Sequence, residues 1–147
     1  MRKKFLSWLL ALSMVIGLCP AMALPAMAAV TMPTSFDQVY NAADLDPASL
    51  FENGKTYRLT GTGTVPVKIA AGNTVTIVLD GVTIESTTSP IQVESGATLN
   101  LFTKVNTTNT LTCTSATAAD VTANGANGLT AGISVPDGAT LVLGSDT

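Results

Sequence analysis

The chain has 147 residues, 46% of them hydrophobic and 12% charged, with seven basic and ten acidic side chains and no histidine. The missing imidazole excludes a Ser-His triad and the commonest transition-metal ligand. Acid in excess of base opposes a phosphate backbone, which excludes nucleic acid as a partner.

Residues 1–28 read as a signal peptide. Arg2, Lys3 and Lys4 form a basic start, residues 5–18 are almost unbroken apolar, and Ala26-Met27-Ala28 supplies the small residues of a cleavage site. The apolar run is shorter than the ~20 residues of a membrane helix, so no stable span is expected once it is removed. Cys19 follows the bulky Leu18, which argues against lipid attachment at that cysteine. The prediction is a secreted or cell-surface protein. All ten acids lie beyond residue 28 but only Lys55, Arg58, Lys68 and Lys104 of the basic residues do, leaving a net charge near −6. Cys113 is then the single cysteine, so no internal disulfide is available.

Residues 29–54 are expected to be a leader and N-terminal helical cap. Ser35 followed by Gln38 fits a capping box, and Phe36, Val39 and Tyr40 give one apolar side to a helix through about Ala43. Leu45-Asp46-Pro47 ends that helix, a short helical turn is expected at residues 48–51, and Asn53-Gly54 marks a turn. From Lys55 the period changes to two, with Tyr57 and Leu59 alternating with polar neighbours and Gly61 and Gly63 breaking the run.

Residues 55–147 are organised by repetition. VKIAAGNTVTI (67–77), IQVESGATLNL (91–101) and ISVPDGATLVL (133–143) superimpose without a gap. Columns one, three, nine and eleven are always Val, Ile or Leu, column six is Gly and column eight is Thr. The copies start 24 and then 42 residues apart, a spacing that marks a solenoid in which each copy is one rung. The first unit holds three strands: Val67 and Ile69, then Val75, Ile77 and Leu79, then Val82 and Ile84 after a turn at Asp80-Gly81. In the second unit Leu99 and Leu101 are followed by Val105 and by Leu111 with Cys113 as fillers of the remaining strand positions. Residues 115–130 are read as an inserted loop, and the coils are expected to be incomplete at the C-terminal end. All 23 threonines lie after Met27, which suits a pleated surface and disfavours helix.

Three strands and three bends per unit describe a triangular coil whose faces stack into parallel sheets. Stacking places Thr74, Thr98 and Thr140 in one outward ladder, the candidate ligand-binding set. No catalytic residue is assigned. Asp80 and Asp137 each precede a glycine, where aspartate is favoured by the backbone alone. Glu85 and Glu94 complete no clear carboxylate pair, and Cys113 has the spacing of a packed thiol. No calcium nonapeptide or EF-hand spacing occurs, so neither metal nor cofactor is assigned.

The strings IVLDGVTIES (77–86), PIQVESGATLNL (90–101) and AGISVPDGATLVL (131–143) resemble secreted right-handed parallel β-helix proteins of the pectate-lyase-like class. More narrowly, they are similar to the large cell-surface and carbohydrate-binding-type repeat proteins of gut bacteria. The resemblance implies an all-β, right-handed parallel β-helix. It implies a non-enzymatic adhesin or envelope scaffold whose partners are a polysaccharide or host glycan and further coils of the same protein. The alternative is the start of a carbohydrate-active β-helix enzyme, a lyase or glycoside hydrolase, whose catalytic coils are absent. A lyase would need a basic residue such as Arg58, which has the spacing of an outward strand residue.

Overall fold

A computed structural model describes residues 31–47, 51–114 and 130–145. The predicted signal peptide and residues 115–129 of the predicted insertion lie outside them. About half of the described residues are in strands and almost none in helix, and the strands form two sheets in which every pairing is parallel. The first sheet takes β1 (Gln38–Asn41), β2 (Thr56–Gly63), β4 (Thr74–Ser86), β6 (Thr98–Thr103) and β9 (Thr140–Ser145) in that spatial order, with β7 (Thr110–Cys113) also on β4. The second orders β3 (Val67–Ile69), β5 (Ile91–Val93) and β8 (Ile133–Ser134). Each repeat thus gives its first strand to one sheet and its second strand to the other.

The register follows the repeat columns. Val67 pairs with Ile91 and Ile91 with Ile133, while Val75 pairs with Leu99 and Leu99 with Leu141. Alternation sends Tyr57, Leu59, Val67, Ile69, Val75, Ile77, Leu79, Ile91, Val93, Leu99 and Leu101 into one shared core, all buried. Leu143 continues the row Tyr57–Ile77–Leu101 at the far side of the stack and is 68% exposed.

Asp80-Gly81 does not end a strand. β4 runs through it for 13 residues, and Gly81, at φ 69°, makes a bulge. Leu59 pairs with Leu79 but Gly61 pairs with Val82, so two residues of β4 face one of β2. The extra residue changes the inward parity from 75, 77 and 79 to 82, 84 and 86, all buried. The far half of β4 then pairs with β7, matching Ile84 with Leu111 and Ser86 with Cys113. Leu111 packs against the core from this position, whereas Val105, offered as a strand filler, is 49% exposed in the connection before β7.

The expected N-terminal helix is absent. Residues 38–41 form β1, which adds to the edge of β2, and only a three-residue 3-10 turn (Ala42–Asp44) follows. Phe51 is buried and in neither helix nor strand, and the other residues of the predicted second turn lie outside the described set. An unpaired β2 edge would leave its backbone groups without partners, and β1 supplies them. Tyr40 stacks on Tyr57 with centroids 5.9 Å apart, and Phe51 meets Tyr57 edge-on at 4.9 Å. Asp37 adds a side-chain clamp, accepting from Thr56 N–H at 2.8 Å and from Lys55 Nζ at 3.0 Å. Those two partners, the Thr56 amide first, hold its carboxyl below the ordinary range.

The 3-10 turn lies so close to β2 that a Cβ on Gly63 would stand 2.1 Å from the Ala42 carbonyl oxygen. That oxygen is backbone and cannot swing aside, so Gly63→Ala is expected to cost about 1–3 kcal/mol by overpacking. Chemical denaturation of the two proteins measures the difference. Among the described residues no helix is long and apolar enough to cross a membrane.

Candidate functional site on the outer face of the first sheet

Outward positions of the first sheet form straight rows because the pairing is in register. Thr74, Thr98 and Thr140 make one row, as the repeat predicts. Thr56, Thr76, Asn100 and Val142 make the next, and Arg58, Val78, Phe102 and Gly144 the third. Rows two residues apart stand about 6.6–7 Å from one another, and neighbours within a row about 4.8 Å. In the middle row Asn100 Nδ2 donates to Thr76 Oγ1 at 3.3 Å. Thr74 and Thr140 are exposed and Thr98 is half-buried.

The third row differs in chemistry. Val78 and Phe102 point away from the inner core yet are 0% and 1% exposed. The segment preceding β1 accounts for part of this cover, because Met32, Pro33, Thr34 and Phe36 line a cavity of about 330 Å³ together with Val78, Arg58 and Lys104. The Phe102 ring occupies the space above Gly144, where a Cβ would stand 2.5 Å from it.

Two charged residues of this lining, Arg58 and Lys104, converge on a third charge, Asp80. The Asp80 side chain, only 8% exposed, accepts from Lys104 Nζ at 3.1 Å and from Arg58 Nη2, both on the same Oδ2. The Arg58 guanidinium also lies over the Phe36 ring, 6.0 Å from its centroid. Burial pushes the Asp80 carboxyl up, but the hydrogen bonds from Lys104 and Arg58 and their charges outweigh it and hold the carboxyl below its ordinary value. The cluster keeps a net positive charge in a chain that is otherwise acidic, with both cations partly open to solvent at 36% and 44% side-chain exposure.

Arg58 stands on the outward face, as its spacing predicts, but engaged with Asp80. Of the carboxylates weighed as a glycosidic pair, Asp80 is neutralised by two cations. Glu94 Oε2 accepts from Ala71 N–H at 3.0 Å, and Glu85 is exposed on the far side of the bulge. Cys113 is half-buried, with its thiol 3.8 Å from the Thr87 carbonyl. The Asp80–Lys104 pair was missed from sequence although its signal was present. One repeat of 24 residues beyond Asp80 is Lys104, just as one repeat beyond Leu79 is Thr103. Phe36 carried no such signal, because it precedes the repeats. Among the described residues no group of three or more Asp, Glu or Cys side chains is placed to hold a metal ion.

A family model described as carbohydrate-binding domain-containing protein matches residues 49–135, more than half of the chain. The match contains Arg58, Thr74, Asp80, Thr98 and Lys104. No curated protein and no solved structure matches the chain.

Proposed function

The chain belongs to the family of carbohydrate-binding domain-containing proteins, and from that membership we propose that it is an exported, non-catalytic glycan-binding module. Its two parallel sheets are faces of a right-handed β-helix, and the outer face of the first sheet is the binding surface. The preferred ligand is a polysaccharide carrying carboxylates, such as a uronate polymer. The observation that carries this reading is the net-positive Arg58–Asp80–Lys104 cluster beside the Phe36 ring, flanked by two partly exposed rows made mostly of Thr and Asn. A sugar carboxylate would accept from the cations, the C–H face of its ring would pack on apolar lining, and hydroxyls of neighbouring units would meet the Thr rows. Three rows by four strands cover roughly 14 Å each way, enough for a short run of sugar units.

Affinity electrophoresis of the protein through gels containing alginate or dextran tests this. Retention by alginate, none by dextran, and loss of retention as added salt shortens the Debye length below ~10 Å are the expected results. Equal mobility in both gels removes the charge-based reading.

A further inference from the structure

A second cavity lies where the chain bends from the second sheet into the first. The bends at residues 70–73, 94–97 and 136–139 stack on one another, with Gly72 N–H donating to the Gly96 carbonyl at 3.3 Å and Gly96 N–H to the Gly138 carbonyl at 3.0 Å. Residues 51–54 form the next layer. Gly54 N–H donates to the Thr74 carbonyl at 2.7 Å, Thr74 N–H to Asn53 Oδ1 at 2.8 Å, and Asn73 Nδ2 to the Phe51 carbonyl at 3.2 Å. These bonds hold the corner rigid and leave beside it a cavity of about 420 Å³, lined among others by Pro47, Glu52, Lys68, Ala70, Asn73 and Glu94.

The hydrogen-bonding capacity of this lining is largely unspent. Lys68 and Glu52 form no ion pair among the described residues. Glu94 uses Oε2 on Ala71 N–H and Asn73 uses its amide N–H on Phe51, which leaves Oε1 of Glu94 and the amide oxygen of Asn73 to a ligand. Two carboxylates against one ammonium make the cavity net acidic, the reverse of the outer-face cluster. A uronate is therefore disfavoured here. Vicinal hydroxyls suit it: they donate to a carboxylate, while an ammonium donates to a ring or hydroxyl oxygen. Pro47 and Ala70 supply apolar surface for the C–H face of the ring, and the volume lies within the ~300–1,000 Å³ of small-molecule pockets.

We propose that this corner is a second sugar site, selective for neutral hexopyranose units, which makes the module bivalent, with one face for anionic and one for neutral sugars. The class of ligand rests on the glycan-binding reading above; the position of the site does not.

The test is an amide-resolved NMR titration of the full chain with maltotetraose and, separately, mannotetraose. Saturable shifts at Asn53, Lys68, Ala71 and Glu94 with either sugar are expected. Lys68→Met and Glu94→Gln should each weaken the titration about tenfold, the loss of one charge-assisted hydrogen bond. Both side chains are exposed, and glutamine keeps an acceptor for Ala71, so the thermal midpoint should stay unchanged. The proposal is overturned if neither sugar moves these amides, or if shifts cluster only around Phe36, Arg58 and Lys104. Corner shifts without alginate retention would support this site and remove the outer-face reading; retention without corner shifts would do the reverse.

Discussion

Inserting one alanine between Gly81 and Val82 is expected to abolish cooperative folding of the chain. Gly81 is one of two residues that face a single position of β2, so the alternation steps over it and Val82, Ile84 and Ser86 lie on the inner side. One further residue would take the inward position of Val82 and turn Val82 and Ile84 to the outside. Exposing those two aliphatics forfeits about 1.5–3 kcal/mol each, and Thr83 and Glu85 would enter the core in their place, where a carboxylate without a partner costs several kcal/mol more. The sum rivals the ~5–15 kcal/mol total stability of a typical domain. Gly81→Ala is the milder control. A Cβ there meets nothing within 4 Å, and only the positive φ is strained, for about 1–2 kcal/mol. Far-UV circular dichroism with urea unfolding should show a shifted midpoint for the Gly81→Ala variant and no transition for the insertion. A cooperative transition in the insertion protein would mean that β4 tolerates the parity change.

Replacing Arg58 and Lys104 together by methionine should eliminate retention by alginate and also destabilise the protein. The two effects are separable. The double variant leaves the Asp80 carboxylate, 8% exposed, without its cations, and an unpaired buried charge is costly where its pair was near neutral. Adding Asp80→Asn removes that charge. The triple variant should therefore recover most of the unfolding midpoint while still passing through alginate unretarded. Retention that returned with the midpoint would show that the cations act only by holding the fold.

Acid titration of stability follows from the same cluster. The folded carboxyl of Asp80 is held below its unfolded value, so its stabilisation is fully present above the unfolded carboxylate pKa of about 3.9 and is lost as pH falls through the lower folded value. Asp37 shifts in the same direction, through the Thr56 amide and Lys55. The wild-type midpoint should accordingly fall as pH drops below about 4, and the triple variant should fall less steeply, with the slope of Asp37 remaining.

The expected N-terminal helix fails for a physical reason that bears on the site. Ser35, Phe36, Gln38, Val39 and Tyr40 satisfy helical spacing, and local preference alone cannot reject it. In the fold these residues part company. Phe36 lies on the outer face beneath Arg58, Val39 is 58% exposed, and Tyr40 stacks on Tyr57. What separates them is the free edge of β2, a partner 19 residues away whose unpaired backbone outweighs a marginal helix too short to be stable alone.

The repeat columns by themselves determined the parallel pairing, the inward aliphatics and the Thr74–Thr98–Thr140 row, because a side-chain period of two and a repeated bend leave one register that turns the Val, Ile and Leu columns to the same side. Only the tertiary structure decided that Asp80-Gly81 is a bulge and not a strand end, that Asp80 gathers Arg58 from β2 and Lys104 from just beyond β6, and that the segment before β1 folds over the outer face to make a cavity. Each of these depends on groups distant along the chain meeting across layers, and the energy of such a meeting resides in neither partner's local sequence.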